Sequence, residues 1–299
     1  MTDPRKVERE QRSRRAVAAA VACAGRHGVR CADPTVLADL FSVMVHLQPA
    51  PVVARVSTWT SEMRAPIAEW LEREIEVTAF LSGRGAPAVA PSPELPAVAH
   101  VEDGFAITFW TYLKADPDRT PTMSDCSAML VDLHAELRSY PGELPVLAPA
   151  ANDIAVGLGL LDDRAADLLA PAELAILRDA ADRLAPFVAA PDGPLQPLHG
   201  DVHPGNLLAT RGGLVWIDFE DVCRGPVEWD LAMMPWLDGG ATELARHEPD
   251  PERLARCSQL RALQLALDLI AFRDAFGDTD QWDDHIRGFV AALSEPAPH

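Results

Sequence analysis

Lysine is nearly missing from this sequence: Lys6 and Lys114 are the only two among 26 basic residues. Metal-type cysteine spacing is missing too. Cys23, Cys31, Cys126, Cys223 and Cys257 are scattered, with no C-x-x-C and no Cys/His cluster at zinc spacing, which reads as free thiols in a reducing cytoplasm. No run approaches the roughly 18 apolar residues of a membrane span. Positive charge is in deficit. The 26 basic residues face 45 acidic ones, leaving a net charge of −19. That argues against nucleic acid or an anionic membrane as partner and suits a cationic ligand. There is no internal repeat and no long low-complexity segment.

What is present is an ordinary globular composition, 48% hydrophobic and 24% charged over 299 residues, enough for about two domains. Near the N-terminus, Arg12, Arg14 and Arg15 precede an apolar run over residues 16–24 that mimics a secretion signal. The run is alanine-rich, lacks Leu, Ile and Phe, and has Glu8 and Glu10 ahead of it. It reads instead as part of an amphipathic helix over residues 5–27, stopped by Gly28. Short β-rich runs at 36–40, 43–47 and 52–56 suggest an antiparallel meander with a turn over 48–51. Residues 67–82 predict a helix with Trp70, Ile75, Val77, Phe80 and Leu81 on its apolar side. A hairpin is expected from 98–101 and 105–110.

Beyond Leu113 the patterns become helical, at 127–137, 165–169, 172–188, 243–247, 251–276 and 282–293, broken by a β-island at 207–219. The acidic run 278–284 reads as a helix N-terminus. The expectation is therefore a β-rich unit over residues 1–113 and a larger, mainly helical unit over 114–299.

The chemistry concentrates in residues 198–221. Leu207–Thr210 and Leu214–Ile217 are strand-like, joined by a three-residue loop, Arg211-Gly212-Gly213. With Thr210 facing Leu214, Asn206 would face Asp218 across the ladder, where opposed Cβ atoms lie about 5 Å apart. Asp201 precedes Asn206 by five residues, on a loop stiffened by Pro204. Oxygen donors without His or Cys favour Mg²⁺ over zinc and leave positions for water and phosphates. A carboxylate near the metal but not on it suits a general base acting on a hydroxyl.

His199-Gly200-Asp201, four further residues and Asn206, followed by Ile217-Asp218-Phe219, resembles the catalytic core of protein-kinase-like phosphotransferases. The wording is most similar to the aminoglycoside phosphotransferase and choline kinase family. No Ala-Pro-Glu element and no activation-loop-length insertion follow Phe219. The resemblance implies a two-lobed α+β protein-kinase-like fold, with a small β-rich N-lobe and a larger helical C-lobe. It implies transfer of the γ-phosphoryl group of ATP or GTP to a hydroxyl of a small molecule. An aminoglycoside-like or other cationic antibiotic would be the acceptor, or alternatively a metabolic amino-alcohol or sugar, in a monomer or homodimer.

By the same resemblance, Asp201 would be the catalytic carboxylate, and Asn206 and Asp218 would hold Mg²⁺. His199 would brace the loop and Asp230 would bind its backbone. Leu133-His134 would lie on a helix beneath the site. Residues 109–113, with Trp110 and Tyr112, would form the hinge that meets adenine.

Two departures stand out. The family's phosphate-gripping lysine is replaced by Arg55, which can pair with a helix carboxylate, best Glu74, with Glu72 and Glu76 as competitors. The turn over 39–42 has no glycine, leaving Ser42 and backbone amides to cover phosphate. Both departures also admit a nucleotide-binding protein without turnover. Other readings stay open: His203 as a loop brace or ligand contact, Glu220 and Asp221 as contacts for metal or a cationic substrate or as a hydrated loop, and Trp229 and Trp236 as core or pocket wall.

Overall fold

The computed structural model describes residues 4–273 and 280–294. They form two compact units. The first comprises the chain through Thr120 together with Leu208–Glu220. The second comprises Pro121–Leu207 and the chain from Asp221 onward.

The first unit opens with helix α1 (Pro4–Arg26). It continues into β1 (Cys31–Asp39), β2 (Ser42–Pro49) and β3 (Val52–Ser57), then the short α2 (Thr60–Met63) and α3 (Ile67–Gly83). The hairpin β4 (His100–Glu102) and β5 (Phe105–Thr111) follows. The sheet order is β1-β2-β3-β5-β4, antiparallel throughout. The alanine run explains how α1 sits. Ala16, Ala19, Ala20, Cys23 and Ala24 are buried, and such small side chains let the helix lie close against Val43, Val45, Val52 and Ile107 of the sheet. Every residue of β3 is buried, so its apolar run carries no alternation. The meander, α1 and α3 match their sequence patterns. β1 begins earlier than the run at 36–40, and β4 is shorter than its pattern.

In the second unit, α4 (Met123–Leu137) starts with a capping box between Thr122 and Asp125. Next come α5 (Ala148–Ala165), α6 (Pro171–Ala189) and β6 (Gln196–Leu198). Strands β7 (Leu207–Thr210) and β8 (Gly213–Trp216) form a hairpin that falls largely in the first unit, where Asp116 bonds Ala209 and Trp216 bonds Pro87. Strand β9 (Cys223–Gly225) pairs with β6. Helices α7 (Glu228–Leu231), α8 (Gly240–Leu244), α9 (Pro251–Phe272) and α10 (Asp280–Ser294) complete the unit. Its core gathers Leu161, Leu184, Trp229, Leu263 and Leu267, among others.

Three expectations need correction. Residues 165–169 end a helix and turn, and the helix itself is α5, which the sequence pattern hid. Its Gly157 is a packing device: a Cβ there would come within 2.6 Å of the Leu267 Cβ on α9. The 207–219 hairpin has a two-residue loop, because Gly213, at φ +126°, already belongs to β8. Asn206 and Asp218 do not face each other on a ladder. Asn206 closes a 3-10 turn over Pro204–Asn206, and Asp218 follows β8 at φ +61°. The end of the 251–276 pattern and the start of the 278–284 run lie outside the described residues.

Candidate active site

The second unit holds Asp201. It follows Gly200, whose φ is +93° and whose missing Cβ matters, since a Cβ would stand 2.0 Å from the Asp221 carbonyl oxygen. Buried Asp230, on α7, accepts from the amides of His199 (3.0 Å) and Gly200 (2.7 Å). It also meets His134 Nε2 at 2.7 Å. Burial pushes the Asp230 carboxyl up, but His134, His199 and the Gly200 amide outweigh it and hold the group below its ordinary value. His199 is fully buried, and its Nδ1 accepts from the Asp201 amide at 3.3 Å. His199 and Asp230 thus both bond the loop backbone, and His134 is a buried histidine bonded to Asp230.

Asp201 is 33% exposed. Its Oδ2 accepts from Asn206 Nδ2 at 3.0 Å and faces His203 Nε2 at 3.3 Å. Gly205 donates its amide to His203 Nδ1, which places the ring proton on Nε2, toward Asp201. Arg261 Nη1 stands 4.0 Å from Asp201 Oδ1. Burial raises the Asp201 carboxyl. His203, Arg261 and His199 overcome that and hold it well below the ordinary carboxylate range, so it is ionised at neutral pH. Asn206 spends its amide hydrogens on Asp201 (Oδ2, and the backbone oxygen at 2.8 Å). That fixes its amide orientation and leaves Oδ1 as the oxygen donor.

Sequence reasoning missed Arg261. It is buried on α9, donates to the Gly200 carbonyl and to Gln264 (3.0 Å), and stacks 3.8 Å over the Trp229 ring. Gln264 donates in turn to Asp153 on α5. The one hint in the sequence was an arginine inside the apolar stretch Leu260–Leu263. Trp229 is therefore core, while Trp236 is exposed.

The first unit holds Arg55 on β3, buried. Its Nη1 donates to both oxygens of Glu74 at 3.1 Å and to Asp218 Oδ1 at 2.9 Å. Its Nη2 meets Glu220, and its Nε reaches Ser42 Oγ at 3.5 Å. Arg64 Nη1 takes the other Glu220 oxygen at 2.8 Å. Glu74 also accepts from the Phe219 amide at 3.1 Å. The expected Arg55–Glu74 pair is present, made by one nitrogen rather than a two-nitrogen fork. Glu220 is buried and doubly paired, not part of a hydrated loop, and Ser42 turns inward.

Two guanidinium groups here face three carboxylates, an excess of one negative charge. Burial, with Asp218 and Glu220 adding to it, pushes Glu74 up to about 8 against the pull of Arg55. Asp218 is 45% exposed and keeps Oδ2 outside the Arg55 bond. At the expected hinge, Trp110 is buried and donates to Thr108, and Tyr112 stacks on His46 at 3.6 Å. The amides of Thr111 and Tyr112 are already bonded to Ala90 and Pro51.

Paired lobes of this make, a five-stranded unit and a helical unit with the His199–Asn206 loop, define a protein-kinase-like α+β fold. The chain belongs to the phosphotransferase enzyme family, whose model matches residues 62–256. Among solved structures it is similar to choline kinase LicA from Streptococcus pneumoniae, at 16% identity and TM-score 0.62, covering 88% of this chain and 94% of that one. It is similar to amicoumacin kinase hAmiN in complex with AMP-PNP, Ca²⁺ and Ami, at 13% identity and TM-score 0.64, covering 91% and 92%. A third is a thermostable mutant of aminoglycoside phosphotransferase APH(4)-Ia with ADP and hygromycin B, at 12% identity and TM-score 0.60, covering 93% and 100%. No curated protein matches the chain in sequence. No described helix is long and apolar enough to cross a membrane.

Proposed function

We propose that this chain moves the γ-phosphoryl group of ATP or GTP to a hydroxyl of a small cationic molecule, an aminoglycoside-like or other cationic antibiotic. The observation that carries this reading is the state of Asp201. It is ionised, one-third exposed, and held on a loop whose backbone is anchored by Asp230 and Arg261. A fixed carboxylate of this kind orients an acceptor hydroxyl and takes its proton. Such catalysis is mostly positioning and charge neutralisation.

The oxygen donors fit Mg²⁺. Asn206 presents Oδ1 because its Nδ2 is spent on Asp201, and Asp218 keeps one carboxylate oxygen outside its ion pair. Mg²⁺ held by these two donors would neutralise phosphate charge. A net charge of −19 favours a cationic acceptor. The five cysteines are free, in keeping with a cytoplasmic protein.

A second reading, nucleotide binding without turnover, is favoured by Arg55. Four of its five N–H groups are committed to Ser42, Glu74, Asp218 and Glu220, which leaves one for phosphate.

The deciding experiment is Mg²⁺-dependent phosphoryl transfer from ATP and GTP across aminoglycosides, peptide antibiotics, choline and sugars, beside Asp201→Ala. Turnover that falls at least about 10²-fold in the variant supports Asp201. Nucleotide binding without turnover on any acceptor supports the second reading. Absence of both would overturn the assignment.

A further inference from the structure

The first unit carries a second group of ligating side chains, remote in sequence from the Asp201 loop and from Asp218. Cys23 lies one helical turn before His27, so the two share one side of the end of α1. The His27 amide closes on the Ala24 carbonyl at 3.0 Å, and Gly28, at φ +84°, then turns the chain away. β4 supplies His100, paired with Ile107 of β5. One ligand atom from each of Cys23, His27 and His100 comes within 4.8 Å of the others. The two rings meet edge to face, with centroids 4.9 Å apart. An Arg26–Glu102 ion pair ties the same helix end to the same strand.

A second observation points to a ligand. His100 Nε2 lies 3.1 Å from the Pro96 carbonyl. Donating there fixes the ring proton on Nε2 and turns the Nδ1 lone pair toward bonding, as a backbone carbonyl does for a metal-ligating histidine. Burial grades from Cys23, fully buried, through half-buried His100 to exposed His27. The sulfur is thus shielded, while one side stays open to water.

We propose that Cys23, His27 and His100 form a three-ligand site for a zinc-class divalent ion, with water completing a tetrahedron. One thiolate and two imidazoles suit a borderline ion and disfavour Mg²⁺ or Ca²⁺. As the metal–sulfur bond forms, the Cys23 thiol gives its proton to solvent. The ion would clamp α1 to the β4–β5 hairpin, independently of phosphoryl transfer. Sequence spacing hides the group, because the third ligand comes from a strand far along the chain.

The test titrates the metal-free full chain with Zn²⁺ against a chromophoric chelator, and with Co²⁺ as a spectroscopic probe. The expected result is one equivalent of Zn²⁺ and a thiolate-to-cobalt charge-transfer band that Cys23→Ser removes. His27→Gln, on the surface, together with His100→Gln, should weaken zinc binding at least about 100-fold, since loss of an outer partner alone costs about 10–100-fold. Failure to bind either ion, or equal zinc affinity in His27→Gln and the unaltered chain, would overturn the proposal.

Discussion

The Arg55 guanidinium on β3 lies 3.1 Å from both oxygens of Glu74 on α3, with each partner buried. Asp218 and Glu220 crowd the same guanidinium. This one cation therefore holds three carboxylates.

Removing that cation leaves buried Glu74 with only the Phe219 amide and buried Glu220 with only Arg64. Arg55→Met is expected to cost about 3–5 kcal/mol, the usual penalty for breaking a buried pair from one side. Urea denaturation of the variant against the unaltered chain measures it.

The same cluster sets a pH dependence. Glu74 sits at about 8 in the folded chain against an ordinary 4.5. Between those values the folded chain holds a proton that the unfolded chain has released. Stability from this group is full below about pH 4.5 and is lost as pH rises through about 8. Denaturation midpoints should fall between about pH 6 and pH 9, and Glu74→Gln should flatten that slope.

Asp230 works with the opposite sign. Its folded carboxyl lies below the ordinary 3.8, so its contribution is full above that value and is lost only as pH falls through the depressed one. Asp230→Ala strands the amides of His199 and Gly200 and the ring of His134. It should cost about 3–5 kcal/mol, read by calorimetry.

Gly200→Ala tests the loop backbone. A left-handed φ costs a side chain about 1–3 kcal/mol, and here the Cβ would also strike the Asp221 carbonyl. A loss of about 3 kcal/mol or more is expected, with the damage centred on the Asp201 loop in hydrogen exchange.

Much was legible in order along the chain. The α1 helix shows in its alanine run, the meander in its β-branched runs, and the Asp201–Asn206 loop in its spacing, because each depends on residues near one another. Arg55 with Glu74 was legible too, since only one cation stands on β3. Helix α5 was not. Gly157 and Gly159 weaken a helix locally, and its stability comes from α9 pressing where Gly157 has no side chain.

What the sequence by itself determined is the local chemistry: which residues turn, which bury, and which carry charge at motif spacing. Tertiary structure alone decided the long-range partners. Arg261 reaches the Gly200 carbonyl from α9, Glu220 is drawn into the Arg55 cluster, and His100 is brought beside Cys23. Those meetings join residues far apart in sequence, and they come about when apolar burial folds helices and strands onto one another, leaving each buried charge to find the partner that packing puts within reach.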